Sequence, residues 1–143
     1  MSRLVLTAPD IDADVFRDLA ESVKRATSHV TLYASSADLA LTASKHANGF
    51  RRAGDATPLT IVPGIDTVDA STLATDFLGH SYFGDHVSVI SDIRCLLSGT
   101  APDGRYGLSR RADGLRVFWR FVSDVQLMAC MANGRNCACG APG

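Results

Sequence analysis

No Gly-x-Ser-x-Gly turn occurs in these 143 residues. The strained strand-to-helix turn that exposes a catalytic serine therefore has no sequence to form it. No apolar run approaches the roughly 20 residues that a membrane-spanning helix needs. Met1 to Leu6 lack the length and cleavage site of a secretory leader, so a cytoplasmic location is the default expectation. Basic runs are absent too. Lys and Arg number 14 against 15 Asp and Glu, a net charge of −1, and Arg51-Arg52 and Arg110-Arg111 read as solvated loop pairs. A nucleic acid or an anionic membrane surface is not an expected partner.

Cysteine is sparse and badly spaced for a metal. Cys137 and Cys139 form a single Cys-x-Cys, Cys130 is distant, and no histidine lies nearby. A zinc centre wants four ligands in two close pairs, so neither a metal nor another cofactor is expected. Cys95 falls on the apolar side of a helical pattern, which predicts burial as a small hydrophobe. Residues 123–143 have no periodic pattern and read as an irregular tail behind one domain spanning residues 1–122.

What is present alternates strand and helix. Leu4 to Ala8 is a short, continuous apolar run stopped by Pro9, the pattern of a strand buried on both faces. Asp10, Asp12 and Asp14 crowd the start of a helix from about Ala13 to Ala26, where carboxylates suit the positive end of the dipole. Val15, Phe16, Leu19 and Val23 recur along it at helical spacing. His29–Ala34 reads as a second strand, Leu39 to Ala47 as a short helix stopped by Asn48-Gly49, and Leu59–Val62 as a third strand closed by Pro63-Gly64. The stretch from Ile65 to His80 is long for a connection, and Asp66 and Asp69 within it suit turn bonds. Val89, Ile90, Ile93, Leu96 and Leu97 define the buried stripe of a helix from Val87 to Leu97, ended by Gly99. In Leu115 to Val122 the residues Leu115, Val117, Trp119 and Phe121 alternate with Arg116, Phe118 and Arg120, which predicts a late, half-exposed strand with Trp119 as a packing residue. This order indicates an α/β fold with a parallel sheet.

In such a sheet, reactive groups gather beyond the carboxyl ends of the strands. Asp10, Asp38 and His80 all lie there. His80 sits in Gly79-His80-Ser81-Tyr82-Phe83-Gly84-Asp85, where it can exchange protons or merely cap the next helix. Asp38 is either an acid behind that histidine or an N-cap for the helix from Leu39, and Asp10 is the alternative acid. His29, His46 and His86 have surface or helix-end contexts. Neither Ser35 nor Ser81 sits on a strand-to-helix turn flanked by glycines, so neither reads as a nucleophile.

Residues 4–16, 30–38, 63–71 and 79–85, taken in order, resemble the C-terminal half of a bacterial branch of the α/β hydrolases, esterase- or lipase-like proteins of unknown function. The resemblance covers about residues 3 to 121. It implies a partial, doubly wound, three-layer parallel sheet, with residues 4–8, 29–34 and 59–62 as the sixth, seventh and eighth strands. It also implies His80 as catalytic base and Asp38 as its acid, with a small ester as substrate class. A neutral imidazole takes the serine proton and returns it to the leaving group, while the carboxylate holds its tautomer. Without a serine there is nothing to activate. The expectation is a truncated, inactive serine-hydrolase-like fragment. The alternatives are an interaction module or a half-enzyme completed in trans by a serine-bearing segment. In the parental strand order residues 4–8 lose a neighbour, so self-association through an exposed sheet edge is also expected.

Overall fold

The computed structural model describes residues 2–36, 49–73, 87–105 and 107–122, together with Cys139. Strand β1 (Arg3–Thr7) leads into helix α1 (Ala13–Ala26) and strand β2 (His29–Ala34). Strand β3 (Asp66–Asp69), helix α2 (Val87–Leu97), a 3-10 turn (Pro102–Gly104) and the hairpin β4 (Leu108–Asp113) to β5 (Arg116–Phe121) follow. The strands form one sheet in the order β1-β2-β3-β5-β4. β1, β2, β3 and β5 run parallel, and only β4 is antiparallel to its neighbour. The expected α/β architecture is present. The helix expected over Leu39 to Ala47 lies outside the described residues.

Both faces of the sheet are covered. On one, Phe16 and Ala20 of α1 pack with Val30, Leu32, Ala53, Val62 and Ile65, joined by Leu4 and Leu6. On the other, Val89 of α2 packs with Tyr33, Val68, Ala70, Leu73 and Phe121, joined by Val5 and Ile93. Successive residues of β1 and β2 point to opposite faces, and the apolar run in β1 supplies both clusters.

Local signals place α1. The Asp12 carboxylate accepts from the Asp14 and Val15 amides at 2.8 and 3.0 Å, an N-cap on two otherwise orphaned donors. α2 ends in a Schellman turn. Gly99 adopts φ +96°, the Thr100 amide donates to Cys95 O at 3.1 Å, and the Gly99 amide donates to Leu96 O at 3.0 Å.

Six expectations need correction. Leu59–Val62 is not a strand. It is an extended connector whose Thr60 carbonyl accepts from the Thr67 hydroxyl at 3.1 Å and whose Val62 joins the core. The ladder position beside β2 belongs to Asp66–Asp69, where the two carboxylates that made that segment look like loop meet His29 Nε2 and Arg120 Nε. In α1, Val15 and Leu19 are each 47% exposed, and Ala13, Phe16 and Ala20 form the buried face. In α2, Ile90 and Leu97 are exposed and Asp92 is turned into the core. In the hairpin, Leu115 projects from the turn while Phe118 is buried. Cys95 is buried, but as one half of a disulfide to Cys139, 44 residues away.

Candidate active site

Because β1, β2 and β3 are parallel, their carboxyl ends share one edge of the sheet. The chain leaves β1 through Ala8, which takes a left-handed φ of 41°, with its amide donating to Tyr33 O at 2.9 Å. Residues 51–54 then fill the space between the exits of β1 and β2. The Ala53 amide donates to Ile11 O at 2.8 Å, the Gly54 amide to Pro9 O at 3.1 Å, and the Ser35 amide to Gly54 O at 2.9 Å. Only glycine fits at position 54, since a Cβ would stand 2.4 Å from the Ala8 carbonyl carbon.

This bracing sets the surroundings of Asp10. Its carboxylate lies 2.8 Å from Arg52 Nε, with the aspartate 63% exposed and the arginine side chain nearly buried. Asp10 is thus held at the sheet edge by a fixed positive charge. Asp38 and His80, and with them His46, His86 and Ser81, lie outside the described residues.

The approaches to both positions are described. The Ser36 amide, two residues before Asp38, donates to Ser71 Oγ at 2.9 Å. The Ser71 amide donates to Asp69 Oδ1 at 2.9 Å, and Asp69 Oδ2 meets Arg120 Nε at 2.8 Å. The Ala70 amide donates to Ala34 O, and Thr72 Oγ1 donates to Phe121 O, both at 2.8 Å. The exits of β2, β3 and β5 are therefore laced together, with Asp69 as a structural carboxylate. Ser35 is buried in this lacing.

Under the edge lies a polar group that patterning did not anticipate. The Tyr33 hydroxyl donates to Asp92 Oδ2, and Arg105 Nη1 approaches the same oxygen at 3.1 Å and the hydroxyl at 3.5 Å. Asp92 and Arg105 are 1% and 2% exposed. Burial pushes the Asp92 carboxyl above its usual range, against the opposing pull of Arg105 and the Tyr33 hydrogen bond. Burial also pushes the Tyr33 hydroxyl far up, reinforced by the Asp92 charge. Asp92 Oδ1 and Arg105 Nε and Nη2 have no hydrogen-bond partner among the described residues. The available signal was position, because Asp92 lies three residues after Val89 and four before Leu96, inside the apolar stripe. Among the described residues, no cluster of three or more His, Cys, Asp or Glu could hold a metal ion.

Comparison with known proteins agrees with this architecture. The family model described as "Alpha/beta hydrolase of unknown function (DUF900)" matches residues 1–98. That span runs from β1 through α2 and stops before the hairpin. No curated protein and no solved structure matches the chain.

Proposed function

Starting from the fact that this chain belongs to the alpha/beta hydrolases of unknown function, we propose that its residues supply the base and the acid of a serine-hydrolase-type ester-cleaving site, but not the nucleophile. His80 is the base and Asp38 its acid, with Asp10 as the competing acid. The 143 residues by themselves do not turn over esters. The observation that carries this reading is the pairing of three adjacent parallel strands with loops at one edge and the absence of any nucleophile turn in the sequence. With β3 at Asp66–Asp69, the eighth-strand position moves from Leu59–Val62 to β3 itself. Asp38 then follows the seventh-strand position by four residues and His80 follows the eighth by eleven. That order suits an acid-then-histidine arrangement at one edge.

The test is hydrolysis of short p-nitrophenyl esters by the purified chain beside a His80→Ala variant. The two are expected to show the same rate. Turnover that disappears in His80→Ala would overturn the non-catalytic reading and require a nucleophile within these residues.

A second reading is favoured by a separate observation. Among the described residues β1 has a ladder neighbour on one side only. Its other row of backbone donors and acceptors is available to a second chain. Such pairing would serve an interaction module or a half-enzyme completed in trans.

A further inference from the structure

The amino ends of the same strands carry a different constellation. Arg3 of β1 and His29 of β2 are ladder partners, so their side chains stand on one face of the sheet. Asp66 of β3, which pairs with Thr31, shares that face. The Asp66 carboxylate lies 2.6 Å from His29 Nε2. The close of α2 arches over this group, leaving a cavity of about 230 Å³ lined by Arg3, Ser28, His29, Gly99, Thr100 and Ala101.

We propose that this cavity binds a small oxyanion, a carboxylate or phosphate group, with Arg3 as its principal charge. The Arg3 guanidinium has no ion pair or hydrogen bond among the described residues, so its fork of donors is unspent. It rests against the Schellman turn, where a Cβ on Gly99 would come within 3.2 Å of Arg3 Nη2. His29, whose Nε2 lies 2.6 Å from the Asp66 carboxylate, is part of the lining. Ser28 and Thr100 bring hydroxyls to the same wall.

A helix C-terminus ordinarily repels an anion through its bare carbonyls. Here three of the last four are engaged. Arg94 O accepts from the Ser98 amide and hydroxyl at 3.0 and 2.9 Å, Cys95 O from Thr100 and Leu96 O from Gly99. The cavity is at the opposite end of the strands from Asp10, so it stands apart from the hydrolase reading.

Inorganic phosphate and sodium acetate, titrated separately at constant ionic strength with chloride as background, test the site by amide NMR. Saturable shifts are expected at Arg3, His29, Gly99 and Thr100. Saturation by phosphate alone assigns a tetrahedral ligand, and saturation by acetate alone a planar one. Arg3→Gln is expected to weaken binding by about tenfold or more, and Arg3→Lys by less. Thr100→Val, which keeps the size of the side chain, provides a second variant should Arg3→Gln not fold, and a severalfold loss is expected there. Shifts that fail to saturate with either ion would overturn the proposal, as would saturable shifts unchanged in both variants.

Discussion

The two edges of the sheet are finished in opposite ways. At one, β4 presents Arg110, Arg111, Ala112 and Asp113 to solvent, and its hairpin turns through Gly114 at φ +60° under an Asp113–Arg116 ion pair. At the other, β1 presents Leu4, Val5 and Leu6, each only partly buried, with Arg3 as the sole charge. The exposed apolar residues of α1 extend that surface. Arg17 and Lys24 line the flank of α1 beside residues 58–64, with Lys24 Nζ donating to Pro63 O at 2.8 Å. At 100° per residue, Val15 and Leu19 fall on the other flank, above β1. Charge along an edge strand discourages a further strand, and an apolar edge invites one. The family match covers the apolar edge and stops short of the charged one.

The largest expected effect concerns what anchors the charged edge. Arg105 immediately precedes the hairpin and holds it to α2 through Asp92, while Trp119 Nε1 donates to Asp103 at 3.3 Å in the same turn. Arg105→Met leaves a buried carboxylate without its cation, which costs about 3–5 kcal/mol near neutral pH. Denaturant unfolding followed with hydrogen exchange checks this. Loss of β4 protection before that of β2 is expected, and a change within 1 kcal/mol would show that the pair does not anchor the edge.

Next in size is association. The wild-type chain is expected to self-associate through β1 in sedimentation runs over a concentration series, and Leu19→Glu to shift it toward monomer with folding stability changed by only about 0.5 kcal/mol. The reciprocal change, Arg110→Val with Arg111→Val, is expected to add association through β4. A wild-type monomer with strongly protected β1 amides would erase the difference between the edges.

The smallest effect is a pH slope. Because burial raises the folded carboxyl of Asp92 above its unfolded value of 3.8, the folded state binds its proton more tightly. The stability linked to this group is full below the unfolded value and is lost as pH rises through the raised folded value. Asp92→Asn is expected to flatten that part of the stability–pH curve. Urea midpoints across the acid range measure it, and an unchanged slope would place the linkage elsewhere.

Sequence reading succeeded at several element boundaries that local signals mark. The acidic cluster Asp10, Asp12 and Asp14 marks the start of α1 near Ala13, a short β-prone run places β2 at His29–Ala34, and Gly99 ends α2, all as observed. In the candidate site, the position of Asp10 beyond a strand end was legible, whereas its charge partner Arg52, 42 residues away, was not. The positions of Asp38 and His80 rest on motif order alone.

Tertiary structure decided the rest, and in each case through a distant partner. Asp66 and Asp69 read as loop residues until His29 and Arg120 meet them within a strand. Leu108–Asp113 has no alternating pattern of its own and becomes a strand by pairing with β5. Asp92 enters the core because Tyr33 and Arg105, 59 and 13 residues away, meet it there. Local backbone preference and apolar spacing act over a few residues and can be read along the chain. The pairing of charges and the closing of a ladder depend on groups that only folding brings together.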